Sequence, residues 1–140
     1  MAERAPPAVG DVWRYPFLWS REAARGETEG RKVRPVAMTL LTRNAAGETE
    51  VLMVPITSQA PGGSPFAMEV PDIEKRRAGL DQHLRLWVVT DEANIDLPER
   101  SFYFEPDGRL GAFGLQFTKA VQALMIQALK ARKLKGTSRR

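Results

Sequence analysis

The chain has 140 residues, 43% hydrophobic and 27% charged, which suits a single domain (residues 1–140) with a hydrophobic core. It has no cysteine and one histidine, which excludes a disulfide framework and a zinc site built from thiolates or several imidazoles. No stretch approaches the ~18 consecutive apolar residues of a membrane span, and the first residues lack the apolar run of a signal peptide. We therefore expect a soluble, cytoplasmic protein with no membrane partner.

The net charge of +4 is unevenly distributed along the chain. Residues 1–107 carry 13 Lys or Arg and all 17 Asp or Glu, whereas residues 108–140 carry 8 Lys or Arg and no acid. A basic segment of this kind indicates an anionic partner, either nucleic acid or an acidic peptide. The alternative is the solvated end of a helix, and composition does not decide between them.

Short strands dominate the first two thirds of the chain. β-forming residues predict strands at 9–15, 33–43, 48–57, 66–70, 84–90 and 101–105, with a hairpin turn at Asn44–Gly47. The charged segment 16–32 contains two glycines and indicates a long loop with a helical turn at 22–25. A single helical turn is expected at 72–77. Strands at this spacing are typical of a small barrel or sandwich, here with a barrel core at about 9–105.

The last third of the chain changes to helical periodicity. Apolar residues from Phe113 to Ala128 recur every three or four positions, which predicts an amphipathic helix over about 112–134 that packs on the barrel. Gly136 is expected to end this helix, and residues 130–140 form a basic tail. Ile126 and Leu129 lie off the main apolar stripe, which hints at a second buried face such as a dimer contact.

Four aromatic residues alternate near the N-terminus, so their side chains should lie on one side of an extended segment. We expect Trp13 and Tyr15 to belong to the core. Trp19 lies at the edge of the long loop, where an exposed ring could stack on a base of single-stranded RNA.

The sequence lacks the motifs of several common enzyme classes. It has no P-loop and no Gly-x-Ser-x-Gly, and we expect the single histidine, His83, to lie at the surface. Arginines, hydroxyls and carboxylates remain available for catalysis. Those groups suit RNA cleavage by the RNA's own 2′-hydroxyl, which requires the phosphate to be held in line and its developing charge to be stabilised.

The predicted hairpin gives a specific candidate pair. If it pairs residues whose numbers sum to about 91, Arg34 lies opposite Thr57 at one end of the barrel, with Ser58 beside it. The alternative is that Arg34 forms a salt bridge and Thr57 merely ends a strand. The residues alone leave both interpretations open.

Four segments in order resemble the MazF/PemK family of toxin endoribonucleases from type II toxin–antitoxin systems. The similarity runs from about residue 9 to residue 105, and the predicted terminal helix fits the family's C-terminal helix in position. The four segments are Gly10-Asp11-Val12, Gly30-Arg31-Lys32-Val33-Arg34-Pro35-Val36, Val54-Pro55-Ile56-Thr57-Ser58 and Trp87-Val88-Val89-Thr90-Asp91-Glu92.

This resemblance implies a mainly β fold with a C-terminal helix, the SH3-like barrel of these toxins. It also implies a homodimer that cleaves single-stranded RNA without a metal or other cofactor, inhibits growth and is inhibited by a cognate antitoxin. Residues 17–32 correspond to the family's loop that closes over RNA or is held by the antitoxin.

The resemblance also implies roles for individual residues. Arg34 would clamp or protonate the scissile phosphate, Thr57 would stabilise the transition state, and Asp91 would act as a base or an orienting carboxylate. Substrate binding would involve four further residues: Trp19, Arg31, Lys32 and Ser58.

Two positions depart from the family pattern. Val89 stands where some members have an arginine two residues before the aspartate, and Glu92 stands where a glutamine often follows it. A binding-only barrel that holds RNA or a protein partner is therefore one alternative to the nuclease. A toxin of the same fold directed at DNA gyrase is another.

Overall fold

The computed structural model describes residues 6–30, 32–101 and 103–139. Within these ranges the chain is mainly β with one long helix near the C-terminus, which confirms the predicted fold class at this level. The elements in chain order are β1 (Asp11–Tyr15), α1 (Ser20–Ala24), β2 (Arg34–Arg43), β3 (Thr49–Thr57), β4 (Ala67–Glu69), α2 (Asp72–Arg77), β5 (Trp87–Val89), β6 (Glu92–Asp96), β7 (Arg109–Ala112), α3 (Leu115–Lys130) and β8 (Lys135–Ser138).

The β2–β3 hairpin is the centre of the sheet. On one side β2 pairs with β1, which pairs with β7; on the other side β3 pairs with β5 near its end and with β6 nearer its start. β4 continues the sheet beyond β5, and β8 pairs with β6 as a parallel strand, whereas the other pairings are antiparallel. Among the described residues, strand pairing leaves the sheet open between β4 and β7.

Helix α2 and the turn after it contact β7 at this opening. A Cβ at Gly79 would lie 2.3 Å from the carbonyl oxygen of Leu110, so only glycine permits the approach. The Glu74 carboxylate accepts a hydrogen bond of 2.8 Å from the Gly114 amide, which is the N-cap of α3. The segment after β4 is therefore tied both to β7 and to the start of the long helix.

The hairpin register changes at one bulge. Val36 pairs with Pro55 and Met38 with Met53, so these residue numbers sum to 91, but beyond Thr39 the register shifts by one position. Thr39 is the bulged residue, and its hydroxyl donates a 3.0 Å hydrogen bond to the Leu52 carbonyl oxygen. The predicted register therefore holds at the end of the hairpin where Arg34 begins β2.

The core consists of two groups of buried side chains. One lies under α3 and includes Val121 and Met125, in agreement with the predicted apolar stripe. The other contains the alternating aromatics Trp13, Tyr15 and Phe17, all buried, which confirms the core positions predicted for the first two.

The predicted strand at 101–105 is wrong for the residues that are described, since 101 and 103–105 form no strand and Phe102 lies outside the described residues. Tyr103 and Phe104 instead pack against the ring of Tyr15, with ring centroids 5.8 and 5.1 Å away. β6 was not predicted, because Asn94 and Asp96 are poor strand formers. Both are buried, and their polar atoms are hydrogen-bonded.

Helix α3 ends earlier than predicted, at Lys130 and not near residue 134, and Gly136 lies within β8. The Lys133 amide donates to the Ala128 carbonyl oxygen at 2.8 Å and the Arg132 amide to that of Leu129 at 3.0 Å, the two bonds of a Schellman motif. Arg132 occupies the left-handed position with φ of 59°. The end of the helix was not recognised in the sequence because glycine, and not arginine, usually fills this position. Part of the predicted basic tail forms the strand β8.

The second face of α3 is solvent-exposed in the single chain. Ile126 and Leu129 have exposed fractions of 45% and 59%. Their predicted role in a dimer contact stays a prediction. None of the described helices combines the length and apolarity that a bilayer span requires.

We predict that Arg132→Gly raises the free energy of unfolding by about 1 kcal/mol, because glycine adopts the left-handed conformation without the steric penalty of a Cβ. Urea denaturation measures this change. Gln127→Gly, an exposed site inside the same helix, is the control and should lower stability by about 1 kcal/mol. Loss of stability at both positions would contradict this description of the helix end.

Candidate functional site

A polar cavity of about 280 Å³ lies at the end of the β2–β3 hairpin. Its described lining residues are Trp19, Arg21, Lys32, Arg34, Thr57, Ser58, Gln59 and Ala60. Five of these were predicted from the sequence as catalytic or substrate-binding residues: Trp19, Lys32, Arg34, Thr57 and Ser58. The structure thus brings together candidates that come from three separate segments of the chain.

The hairpin register places Arg34 near Thr57. Since Val36 pairs with Pro55, continuing the same register outward by two residues sets Arg34 opposite Thr57. On the other side of β2, Arg34 pairs with Tyr15 of β1. The cationic side chain therefore emerges from a strand held on both sides.

The Arg34 side chain is half-buried, and its Nε is buried without a hydrogen-bond partner. Burial lowers the pKa of the guanidinium; the charge of Glu22 raises the pKa and that of Arg21 lowers it. An arginine stays protonated near neutral pH despite such shifts. Arg34 lines the cavity, and its guanidinium can bind an acceptor oxygen of a ligand there.

The ring of Trp19 contacts two cations. The Arg21 and Arg34 guanidinium carbons lie 5.0 and 5.3 Å from its centroid, within the range of cation–π attraction. Trp19 is half-buried and packs edge-on against Phe17 at 5.2 Å, so it is less exposed than the sequence predicted. The cavity lining here combines an indole with guanidinium groups, and both kinds of group can stack on bases.

The end of β3 contributes hydroxyl groups in a fixed turn. Thr57 Oγ1 accepts a 3.1 Å hydrogen bond from the Gln59 amide, which leaves the hydroxyl hydrogen for donation to another acceptor. Ser58 lies next to it in the cavity lining. The described lining thus holds three cations, two hydroxyls and an amide but no carboxylate, a composition that attracts an anion.

Asp91 is not among the described residues that line this cavity. It lies in the bend between β5 and β6, where its carbonyl oxygen accepts a hydrogen bond from the Lys135 amide at 2.9 Å. β5 runs antiparallel to β3 with Trp87 opposite Thr57, so the chain leads away from that point towards Asp91. Arg31, predicted to bind substrate, lies outside the described residues.

The sequence did not indicate that Arg21 and Glu92 would help to form the site. Arg21 lies in a segment expected to be a loop with no fixed geometry. Glu92 stood out only as a departure from the family pattern, yet its carboxylate accepts hydrogen bonds from the Ser20 amide at 2.9 Å and the Ser20 hydroxyl at 2.6 Å. These bonds fix the first residue of α1 between Trp19 and Arg21.

No protein-family model and no curated protein matches the chain. The resemblance to the MazF/PemK toxins therefore rests on the four sequence segments. Within the described residues, no group of three or more His, Cys, Asp or Glu side chains is placed to hold a metal ion.

We predict that Arg34→Met raises the free energy of unfolding by about 1 kcal/mol, because removing an unsatisfied buried donor gains more than the lost cation–π contact costs. Thermal or urea unfolding measures the change. Arg85→Met is the matched control: Arg85 also lies over a tryptophan, at 5.0 Å from the Trp87 centroid, but it is exposed and its guanidinium is paired with Glu69 at 2.8 Å. The control should not gain stability. An equal gain of stability in both variants would refute the claim that an unsatisfied donor at Arg34 opposes folding.

Proposed function

We propose that the protein is a metal-independent endoribonuclease that cleaves single-stranded RNA, built on an SH3-like barrel of the MazF/PemK type. The observation that carries this proposal is the cavity that is lined both by Arg34 and by the hydroxyl end of β3. A phosphodiester supplies the anionic acceptor oxygens that these donors lack. Single-stranded RNA also supplies bases that stack on an indole or a guanidinium.

The proposed reaction needs no nucleophile from the protein. The RNA 2′-oxygen attacks the adjacent phosphorus, the bond from phosphorus to the 5′-oxygen breaks, and the products are a 2′,3′-cyclic phosphate and a 5′-hydroxyl. The attacking hydroxyl loses its proton and the leaving oxygen gains one. Arg34 holds the phosphate oxygens through its planar donors and Thr57 donates to the developing charge, so both lower the barrier electrostatically.

The remaining lining residues bind the flanking nucleotides in this proposal. Trp19 offers a stacking surface, Arg21 and Lys32 attract neighbouring phosphates, and Ser58 adds a hydroxyl donor. Arg31 retains the substrate-binding role that the resemblance implies.

The wider biological role follows the same resemblance. We propose a cytoplasmic growth inhibitor of a type II toxin–antitoxin pair, which acts as a homodimer and is neutralised by a cognate antitoxin. The exposed Ile126 and Leu129 on α3 are the side chains that favour a dimer contact.

A second candidate function is supported by the composition of the cavity. Its described lining contains no carboxylate, and Asp91 lies elsewhere, so a general base is not in place among these residues. A barrel that binds RNA without cutting it would need only the cations and the stacking groups. Cleavage measurements separate the two candidates.

We predict that the wild-type protein cleaves a labelled single-stranded RNA in EDTA and leaves a cyclic phosphate. Arg34→Ala should slow cleavage on the order of a hundredfold or more, because a donor to the developing charge is lost. Thr57→Val should slow it about tenfold. Replacing the scissile nucleotide by its 2′-deoxy form should abolish cleavage. Product analysis by gel and mass spectrometry gives each result.

Two further variants sharpen this test. Arg43→Ala removes an exposed arginine at the far end of the same strand, about 30 Å from Arg34, and should leave the rate unchanged. Asp91→Asn should lower the rate only if that carboxylate acts as the predicted base. Intact RNA with the folded wild-type protein would reject the nuclease and leave the binding-only barrel.

We also predict how RNA affinity depends on salt. Each cation that neutralises a phosphate of a single strand contributes a slope of about −0.7 in log affinity against log salt. Replacing Arg21, Lys32 or Arg34 singly by glutamine should therefore bring the slope about 0.7 closer to zero, whereas Arg43→Gln should not change it. Fluorescence anisotropy with a 2′-deoxy oligonucleotide measures this. If all four variants keep the slope of the wild-type protein, the phosphates bind outside this cavity.

A further inference from the structure

The C-terminal strand contacts the loop that carries Trp19 and Arg21. Ser138, the last residue of β8, pairs with Ile95 of β6, and the next amide, that of Arg139, donates to the Ile95 carbonyl oxygen at 2.8 Å. The Arg139 side chain consequently enters the protein, and its residue is only 9% exposed. A buried arginine in a basic tail is unexpected, because such tails are usually solvated.

The Arg139 guanidinium joins two separate positions of the loop between β1 and β2. Its Nη1 donates to the Pro16 carbonyl oxygen at 2.7 Å, and its Nη2 donates to the Thr28 carbonyl oxygen at 3.4 Å. The first acceptor lies just after β1 and the second lies beyond α1. One planar donor group therefore binds two loop residues that are twelve positions apart in sequence.

Residues of β6 hold the same loop at intermediate positions. The Asn94 side chain accepts from the Leu18 amide at 2.9 Å, donates to the Leu18 carbonyl oxygen at 2.7 Å, and accepts from Arg139 Nη1 at 3.0 Å. Glu92 binds Ser20 as described above. The two residues that reach the cavity from this loop, Trp19 and Arg21, thus lie among positions fixed by β6 and Arg139.

Aromatic rings fix the orientation of the guanidinium. Its Cζ lies 4.3 Å from the centroid of Tyr103 and 5.3 Å from that of Tyr15. Cation–π contacts in a buried setting are stronger than at the surface, and they also keep the guanidinium plane in one position. A lysine could keep the charge but could not reproduce the planar fork of donors.

We infer that Arg139 is a positioning residue that holds the loop bearing Trp19 and Arg21 in the conformation that forms the cavity. The effect on RNA rests on the proposed function, whereas the effect on the loop does not. The C-terminal strand is thereby part of the site although none of its residues lines the cavity described above. The competing explanation is that Arg139 only anchors the C-terminus.

Hydrogen exchange of the protein without RNA tests the loop directly. In Arg139→Gln, amides within 16–28 should exchange about tenfold faster, since charge-assisted bonds to the loop are lost, while those of the β2–β3 hairpin keep their rates. Arg139→Lys should restore only part of the protection. Lys133→Gln removes an equal charge from an exposed position of the same segment and should change nothing. Unchanged loop exchange, or an equal increase throughout the protein, would overturn the inference.

RNA binding provides the second readout. Arg139→Gln should weaken binding of a 2′-deoxy oligonucleotide about tenfold without changing the salt slope, because Arg139 contacts no phosphate in this scheme. A reduced slope would mean direct phosphate contact and would contradict a positioning role. If the wild-type protein binds no oligonucleotide, the proposed function fails, and the exchange result still decides the role of Arg139.

Discussion

The register of the β2–β3 hairpin is the constraint on which the rest of the structure depends. Val36 opposite Pro55 sets Arg34 and Thr57 at the same end of the sheet, and the bulge at Thr39 absorbs the one-residue shift before the turn. A different register would turn the side chains of one strand to the opposite face. This pairing places a guanidinium next to a strand end that carries hydroxyls.

The cavity combines features that a purely structural surface would avoid. An arginine Nε is buried without a partner, and two guanidinium groups lie against one indole ring. The first opposes folding through lost hydration, and the second brings two like charges close together beside the favourable cation–π contacts. Proteins retain such conflicts mainly where a ligand relieves them. An anion bound in the cavity would reduce the repulsion between the two guanidinium groups, which a neutral ligand would not do.

Much of this arrangement could be predicted from the sequence, and the remainder could not, for physical reasons. β-forming residues on both sides of a turn at 44–47 predicted the hairpin, and the numbering of that turn predicted the Arg34–Thr57 pair. β6 stayed hidden because its buried Asn94 and Asp96 are stabilised by partners distant in sequence. β8 stayed hidden because a basic segment gives no strand signal, and the burial of Arg139 depends on carbonyl groups more than a hundred residues away.

The most direct test of the account observes the Arg34 Nε–H group itself by ¹H–¹⁵N NMR, with Arg34→Lys used for assignment. On addition of a short single-stranded 2′-deoxy analogue of the RNA, this resonance should shift and its exchange with water should slow, because a phosphate bound to the Arg34 guanidinium changes its surroundings and restricts its motion. Binding of the oligonucleotide that leaves the Arg34 resonance unchanged would contradict the account, since the phosphodiester would then lie outside the cavity.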